Sequence, residues 1–224
     1  MLESIYAVYG ASGFGREVMC LAREQLLGDG GGIDQLVFVD DNPQSEFVNG
    51  HKVLTYEDFI AIEAINHYVT LAIADSSIRQ KLTERILADD IKLWDIKASN
   101  VVVMDEAEIG AGAILSPFVT ITSNITIGKC FQANIYSYVA HDCQIGDFVT
   151  FAPSVKCNGN IKIEDHAYIA TGAIIRQGKP DKPIIIGERA IVGMGAVVTR
   201  NVPAGVTVIG NPAAPLSKEN LRRK

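Results

Sequence analysis

The second half of the chain carries an apolar residue at every sixth position. From residue 109 onwards, twelve consecutive sixth positions are apolar, and nine of them are Ile, Leu or Val. These positions are Ile109, Leu115, Ile121, Ile127, Ala133, Val139, Ile145, Phe151, Cys157, Ile163, Ile169 and Ile175. The fifth position of each repeat is again apolar or small. Each repeat therefore predicts one short strand and one corner with two inward side chains, and three such repeats close one triangular coil.

The repeat is interrupted once and then continues. Residues 177–183 break the six-residue register, which resumes at Ile186, Val192 and Val198. Residues 109–180 give four coils, and the resumed repeats give about one more. A single coil has no core of its own, so the coils must stack at the ~4.8 Å spacing of neighbouring strands to bury their apolar side chains. The pattern predicts a β-helix domain over residues 99–216.

The first half of the chain has a different pattern, in which strands and helices alternate. Apolar segments at residues 5–9, 36–39 and 67–74 predict strands, and residues 56–65 predict a short helix. Apolar residues at helical spacing predict one helix that ends near Gly28 and another that carries Ile78, Leu82, Ile86 and Leu87. This alternation predicts a small parallel sheet with covering helices over residues 1–98, which is a Rossmann-like α/β domain.

Composition and charge agree with this division and exclude several classes of protein. Hydrophobic residues make up 48% of the 224 residues but aromatic residues only 7%, which indicates an aliphatic core. The net charge of −6 argues against a nucleic-acid partner. No apolar segment approaches the ~18 residues of a membrane span, and the N-terminus lacks the features of a secretory signal. The four cysteines show no C-x-x-C spacing, so we expect reduced thiols in a cytoplasmic protein.

A glycine turn follows the first predicted strand. Residues 10–15 read Gly-Ala-Ser-Gly-Phe-Gly and open the first helix, which makes phosphate binding at the helix N-terminus physically reasonable. Asp40 and Asp41 end the next strand and are candidates to accept hydrogen bonds from a base or a ribose. The alternative is that this pair only caps the turn before Pro43.

Five segments together resemble a known family. They are Gly10–Gly15, Val39-Asp40-Asp41, Ile73-Ala74-Asp75 with Arg79, Ala140-His141-Asp142-Cys143, and Ile209-Gly210-Asn211-Pro212-Ala213. The combination resembles the bacterial hexapeptide-repeat N-acetyltransferases that modify nucleotide-linked 4-amino-4,6-dideoxy sugars for surface glycans. The sialic acid O-acetyltransferases share this layout. The resemblance implies a left-handed parallel β-helix that binds acetyl-CoA between the subunits of a homotrimer, and an N-terminal domain that binds the sugar nucleotide.

The resemblance also assigns site residues. The sugar nucleotide contacts fall on Ser12, Gly13, Phe14, Asp40, Asp41 and Ala74, although the family often has His at the position of Phe14. The proton acceptor falls on His141, and the acidic residue that increases its basicity falls on Asp142. The acetyl-CoA contacts fall on Gly159, Thr150, Thr171, Gly193 and Met194.

The repeat length predicts the neighbours of His141 without the resemblance. Adding or subtracting 18, the length of three repeats, gives Gly159 and Ser123, so Gly159 should lie ~5 Å from the His141 backbone at the same corner. A glycine there leaves room for a thioester, and its amide is a plausible oxyanion donor. A further coil leads to Gln177, so the 177–183 loop should leave from the same line of corners and cover the pantetheine channel.

Amine attack on a thioester needs a base that works near neutrality, and histidine suits this task. The alternatives are that His141 is a corner residue bonded to a backbone carbonyl and that Asp142 is an ordinary solvated acid. His166 lies on a different face of the coil. We expect no metal, because no two of the four histidines lie within ten residues of each other. Cys143 and Cys157 occupy inward positions and are expected to be core residues.

These observations predict an enzyme that transfers an acetyl group from acetyl-CoA to a sugar amine. The alternatives are O-acetylation of a sugar hydroxyl and a non-catalytic trimeric scaffold that binds a sugar nucleotide. The sequence does not distinguish UDP, dTDP and GDP as the nucleotide. A trimer would bury outward apolar residues such as Phe118, Tyr138 and Phe148, which are expected to be exposed in one chain. Residues 217–224 form a basic tail that either meets the coenzyme A phosphates or is solvated.

Overall fold

The computed structural model describes residues 2–217, which form two compact units. The first unit contains residues up to Ser99 together with Ala111–Ile114. The second contains Asn100–Gly110 and the chain from Leu115 onwards. The basic tail of the sequence lies outside the described residues, except for Ser217. Within the described chain, none of the helices is long and apolar enough to cross a membrane.

The first unit is a six-stranded sheet with helices. Its strands are Leu2–Tyr9 (β1), Leu36–Val39 (β2), Phe47–Val48 (β3), His51–Leu54 (β4), Ala64–Leu71 (β5) and Lys92–Leu93 (β6). Its helices are Gly13–Gly28 (α1), Tyr56–Ile60 (α2) and Ser76–Ala88 (α3), with a 3₁₀ turn at Ile33–Gln35 and a short strand at Ile96–Lys97. The strand order is β3-β4-β2-β1-β5-β6, and every pair is parallel except β3 with β4.

The sheet packs against two apolar clusters. Helix α1 contributes Val18, Ala22 and Leu26 to one cluster, and α3 contributes Leu82 and Ile86 to the other. The predicted parallel sheet is thus confirmed. The predicted helix over 56–65 is too long, because the chain already enters β5 at Ala64. The hairpin of β3 and β4 was not predicted, since its strands are short and partly polar.

The second unit is a left-handed β-helix with three faces. Face 1 contains Ile114–Leu115, Gln132–Ala133, Thr150–Phe151, Tyr168–Ile169, Ile191–Val192, Thr207–Ile209 and Ala214–Pro215. Face 2 contains Val102–Val103, Thr120–Ile121, Tyr138–Val139, Lys156–Cys157, Ile174–Ile175 and Val197–Val198. Face 3 contains Ala107–Ile109, Ile125–Ile127, Gln144–Ile145, Ile161–Ile163 and Ile184–Ile186. Strands one coil apart pair in parallel, as Tyr138 does with Lys156.

The repeat positions form the core of this unit. All twelve apolar positions are buried except Ile109, which is partly buried. Small corner residues are needed where coils stack, because a Cβ on Gly110 would lie 2.7 Å from the backbone of Gly128. One feature was not predicted. Most repeats contain a residue with a left-handed backbone that is not glycine, such as Phe118 (φ 64°) and Asp142 (φ 58°).

Candidate active site

The predicted sugar nucleotide contacts meet at one edge of the sheet in the first unit. Strands β2, β1 and β5 are neighbours and end at the same edge, where the Gly10 amide donates to Val39 O at 2.7 Å. The Ala72 amide likewise donates to Tyr9 O at 2.9 Å. The carboxyl edge of a parallel sheet is the usual place for a nucleotide. The structure therefore brings together the glycine turn, the acid pair and Ala74.

The glycine turn leaves the start of α1 accessible. Ser12 is the N-cap residue and is exposed, and its side chain makes no capping hydrogen bond. A Cβ on Gly13 would meet nothing within 4 Å, whereas one on Gly15 would collide with the carbonyl oxygen of Gly10. Phe14 is partly buried against the apolar cluster under α1. The turn thus combines an open helix N-terminus with a side chain at Phe14 that packs inward.

The two aspartates have different partners. Asp40 accepts from the Ala11 amide through Oδ2 (3.1 Å) and from the Asn42 amide through Oδ1 (3.0 Å). Asp40 therefore links the glycine turn to the end of β2. This structural role resembles the alternative in which the aspartate pair only caps the turn before Pro43. Asp41 is exposed and makes no such backbone bonds among the described residues.

Asp41 is held from one side by a tyrosine. The Tyr9 hydroxyl donates to Asp41 Oδ1 at 2.5 Å, and Arg85 Nη1 lies 3.7 Å from the same oxygen. Burial and the hydrogen bond to Asp41 raise the pKa of Tyr9 well above its usual range, so this hydroxyl stays protonated and remains a donor. Tyr9 was not predicted as a site residue, because on the sequence it is only the last residue of a strand.

A buried arginine supports the third segment. Arg79 is fully buried, and its Nη1 donates to Ile73 O at 2.7 Å and to Ala74 O at 3.3 Å. Asp75 caps α3 by accepting from the amides of Ser77 and Ile78. The loop that carries Ala74 is therefore held by side chains on both sides, while Ala74 itself is exposed.

In the second unit, His141 and Asp142 form a hydrogen-bonded pair. His141 Nδ1 lies 2.7 Å from Asp142 Oδ2, and both side chains are about half exposed. Because an ionised carboxylate only accepts hydrogen bonds, Nδ1 carries the proton and Nε2 keeps its lone pair. The alternative for His141 was a hydrogen bond to a backbone carbonyl. The structure has a carboxylate as the partner instead, which is an arrangement suited to a general base.

Gly159 lies against the imidazole, as the repeat length predicts. A Cβ on Gly159 would lie 2.5 Å from both Cε1 and Nε2 of His141. The Asn160 amide donates to His141 O at 3.0 Å, and the Asp142 amide donates to Ser123 O at 3.2 Å. Only glycine leaves space for the ring in this position. In the described chain, the Gly159 N–H makes no hydrogen bond.

The interrupted repeat leaves from the same line of corners. The Gly178 amide donates to Gly159 O at 2.9 Å, and Lys179 and Lys182 then exchange backbone hydrogen bonds at 3.0 Å. The coil resumes where Ile184 pairs with Ile161, which is five positions later than an uninterrupted coil would place the pair. The extra positions form a small hairpin. We call the corner of His141, Gly159 and Gly178, between faces 2 and 3, the His141 corner.

The other predicted acetyl-CoA contacts are not brought to the His141 corner within one chain. Thr171, Gly193 and Met194 lie at the corner between faces 1 and 2, where the Gly195 amide donates to Thr171 O at 2.9 Å. We call this the Thr171 corner. Thr150 lies in face 1 and is only 5% exposed.

Two polar residues beside the His141 corner were not predicted from the sequence as site residues. The Tyr138 hydroxyl donates to Asn158 Oδ1 at 2.9 Å, and Asn158 Nδ2 donates to Ile175 O at 2.7 Å. Asn158, which directly precedes Gly159, is thereby hydrogen-bonded to the next coil. The sequence offered one signal for this role, an amide side chain directly before the stacked glycine. Cys143 and Cys157 are buried, as predicted. The hydrogen bond with Cys143 and complete burial raise the pKa of the Cys157 thiol.

His166 lies at the third corner, between faces 3 and 1, and is separate from His141. Its ring stacks on Phe148 with 5.2 Å between centroids. The expectation that Phe148 is exposed is wrong, because it is 2% exposed beneath this ring and the Lys129 ammonium group. Phe118, in contrast, is half exposed and stacks on Tyr136 at 4.8 Å. Within residues 2–217, no three His, Cys, Asp or Glu side chains are grouped as metal ligands.

Comparisons with known proteins show the family of the chain. Residues 6–86 match the family model of the PglD N-terminal domain. The chain is 51% identical over 215 residues to GDP-perosamine N-acetyltransferase of Escherichia coli O157:H7, covering 96% of this chain and 97% of that protein.

Two solved structures cover nearly the whole chain. WeeI from Acinetobacter baumannii AYE is 58% identical with a TM-score of 0.93, covering 95% of this chain and 100% of that one. The acetyltransferase domain of PglB from Neisseria gonorrhoeae FA1090, in complex with acetyl coenzyme A, is 31% identical with a TM-score of 0.85. That comparison covers 96% of this chain and 100% of the other.

A Rossmann-like unit followed by a left-handed β-helix with a His–Asp pair defines the class of β-helix acyltransferases. Within it, the chain belongs to the family of acetyl-CoA-dependent N-acetyltransferases that act on nucleotide-linked amino sugars.

Proposed function

We propose that this enzyme transfers the acetyl group of acetyl-CoA to the amine of GDP-perosamine. Perosamine is a 4-amino-4,6-dideoxy sugar, which is the acceptor class that the sequence indicated. The relative at 51% identity carries the name of this activity. The observation that carries the chemistry is the imidazole of His141, which is held by Asp142 and lies directly over Gly159.

His141 would act as the general base. The sugar nitrogen attacks the thioester carbonyl carbon, a C–N bond forms, and the Nε2 lone pair takes the proton that the nitrogen must lose. The C–S bond then breaks, and the same proton passes to the departing thiolate. The products are coenzyme A and the N-acetylated sugar nucleotide. Asp142 keeps the proton on Nδ1 throughout, so that Nε2 remains the acceptor.

The Gly159 amide would stabilise the oxyanion that forms on the thioester carbonyl oxygen. Its N–H has no partner among the described residues, and it lies beside the imidazole. An amide in this position can donate to the carbonyl oxygen as negative charge develops on it. The absence of a Cβ lets the imidazole lie close to this amide, so that the base and the oxyanion donor can act on the same acetyl group.

The sheet edge of the first unit would bind the nucleotide. The exposed start of α1 at Ser12, Gly13 and Phe14 offers backbone amides to the diphosphate. Asp41 and the Ala74 segment would contact the base and ribose, whereas Asp40 acts through the turn that it fastens.

A homotrimer with shared sites would explain two features of the β-helix. Phe118 and Tyr136 form an exposed stacked pair, which one chain leaves uncovered. The predicted acetyl-CoA contacts are also divided between the His141 corner and the Thr171 corner. A threefold assembly would place the Thr171 corner of one copy beside the His141 corner of the next.

We also propose a cell compartment from the nature of the substrates. Both substrates are metabolites of the cytoplasm, where we place the enzyme, and its product would enter surface polysaccharide synthesis. The four cysteines are free thiols, which agrees with a reducing compartment.

The function is tested by an acceptor panel. The purified protein is incubated with acetyl-CoA and GDP-, UDP- or dTDP-linked 4-amino sugars, and released coenzyme A thiol is measured. We expect turnover with GDP-perosamine and a product acetylated on nitrogen, as determined by mass spectrometry and NMR. Acetylation of a hydroxyl would support the O-acetyltransferase alternative, and no thiol release with any acceptor would support a binding scaffold.

A further inference from the structure

In the first unit, Arg85 lies in a polar network beside the acid pair. It belongs to the last turn of α3, and its guanidinium carbon lies 3.8 Å from the centroid of the Tyr56 ring. Its Nη2 donates to Glu57 Oε1 at 2.7 Å, and its Nη1 lies 3.7 Å from Asp41 Oδ1. A planar fork of donors suits this arrangement, in which the ring covers one face and two carboxylates lie at the nitrogens. Arg85 therefore links the start of α2 to Asp41.

The tyrosine under Arg85 is itself held in place. Tyr56 is 1% exposed, and its hydroxyl donates to Asp89 Oδ2 at 2.7 Å. Its ring lies 5.9 Å from the ring of Tyr9, and both rings belong to the apolar cluster that includes residues of α3. The surface on which Arg85 stacks is thus part of the core. An arginine held in this way has little freedom left to lose when a ligand binds next to it.

Arg85 and Tyr9 approach the same oxygen of Asp41 and leave the other one free. The Tyr9 hydroxyl donates to Oδ1, which is also the oxygen nearest to Arg85. Oδ2 has no hydrogen-bond partner among the residues that the structure describes. The Asp41 side chain is 59% exposed, so its carboxylate could rotate freely without these two contacts. Both oxygens of Asp40, in contrast, already accept from backbone amides.

We propose that Arg85 is a positioning residue of the sugar nucleotide site and acts through Asp41. Together with Tyr9 it holds Oδ1, so that Oδ2 accepts from the nucleoside, either from N–H groups of the base or from ribose hydroxyls. The inference rests on the proposed function for the class of ligand. It names the nucleoside because a phosphate at Arg85 would have to displace Glu57 and lie beside a second carboxylate. Without Arg85, Asp41 keeps its charge but loses its orientation, and binding must then restore that order.

The test is a double-mutant cycle on binding. GDP, UDP and dTDP are titrated by calorimetry into the wild type. The nucleotide that binds best is then compared with its nucleoside, which is followed by ligand-observed NMR, in Arg85→Gln, Asp41→Asn and the double variant. We expect Arg85→Gln to weaken the nucleotide and the nucleoside alike, by about fivefold. In the Asp41→Asn background the same substitution should cost less than about twofold, because the carboxylate that Arg85 positions is gone.

Two further variants separate positioning from charge. Arg85→Lys keeps the charge but cannot stack a plane on Tyr56, so it should bind like Arg85→Gln. Lys92→Gln is the matched control, because Lys92 also lies over a tyrosine ring, at 5.3 Å, but on β6, three strands from β2. It should bind both ligands like the wild type. In steady-state kinetics, Arg85→Gln should raise the KM for the sugar nucleotide and leave kcat and Tm unchanged.

Several results would overturn this role of Arg85. They are additive losses in the cycle, a loss for the nucleotide without a loss for the nucleoside, full affinity in Arg85→Lys, and an equal loss in Lys92→Gln. Absence of nucleotide binding to the wild type would overturn it too. A preference for UDP or dTDP over GDP, or the expected binding without acetyl transfer, would contradict only the proposed function.

Discussion

The imidazole of His141 is bounded by a carboxylate at Nδ1 and by a glycine at Nε2, and the two neighbours control different properties. Asp142 sets which nitrogen carries the proton, and Gly159 sets where the ring can lie. Asp142 also has a left-handed backbone, which Asp and Asn adopt more easily than most residues. A substitution at either neighbour therefore leaves the base present but alters its protonation or its position.

Replacing Gly159 with Ala should displace the ring rather than the coil. The new Cβ would lie 2.5 Å from Nε2, and the half-exposed imidazole is free to rotate away. We expect kcat to fall by about 10²-fold, the loss associated with a misplaced general base, with little change in Tm. The same substitution in a His141→Ala background should cost much less. Full activity of Gly159→Ala would contradict the placement of the base.

Replacing Asp142 with Asn should separate the effect of the carboxylate on the His141 proton from the effect of the residue on the backbone. Asn tolerates the positive φ at this corner, so the fold should be kept. The amide can donate to Nδ1 and so favours the tautomer with the proton on Nε2. We expect kcat to fall at least about tenfold while the KM for acetyl-CoA is nearly unchanged. A similar loss of kcat in Asp142→Ala and Asp142→Asn would support this role, with a lower Tm only for Asp142→Ala because Ala does not favour the positive φ. A large rise in KM would contradict it.

At the scale of elements, short connections between strands and helices carry the nucleotide site. The ends of β1 and β2 are joined through Asp40, and the loop after β5 is held by Arg79. The sequence predicted these strand ends and the glycine turn, because apolar strands and G-x-x-G-x-G are local patterns. It could not separate the roles of Asp40 and Asp41, since adjacent aspartates look alike until their hydrogen-bond partners are known.

The β-helix was predicted in greater detail than the sheet unit. A strict period fixes which residues stack, so the neighbours of His141 followed from arithmetic. The left-handed corner residues and the burial of Phe148 did not follow, because both depend on how a corner packs against its neighbours. Lys182 and Arg200 line the same cavity beside the hairpin. The sequence did not predict this, since the two residues are distant along the chain until the coils are stacked.

The two aspartates should respond differently to substitution. Asp40→Ala removes the acceptor for two backbone amides and should lower the free energy of unfolding by about 1–2 kcal/mol. Asp41→Asn should leave Tm unchanged and raise the KM for the sugar nucleotide about tenfold. Thermal unfolding and steady-state kinetics on both variants check this. A lower Tm for Asp41→Asn, or an unchanged Tm with a raised KM for Asp40→Ala, would contradict this division of roles.

At the scale of the whole molecule, a shared site predicts complementation between chains. His141→Ala lacks the base, and Met194→Asp places a charge at the exposed Thr171 corner; both are expected to lower activity alone. If each site uses one corner from each of two copies, co-expressed chains should regain part of the activity, because some sites then combine two intact corners. Co-purified mixed oligomers are assayed for thiol release. A monomer in analytical ultracentrifugation, or no recovery on mixing, would contradict the shared site.

The inserted hairpin has a consequence for how such an enzyme can change. Ile161 and Ile184 pair in the same register as strands without an insertion between them, so the coil continues as if the hairpin were absent. A corner of this β-helix can therefore gain or lose a loop without moving the strands on either side. The hairpin can then be exchanged for a loop of another length or sequence, in evolution or in the laboratory, while the distance between base and glycine in the coils below is preserved.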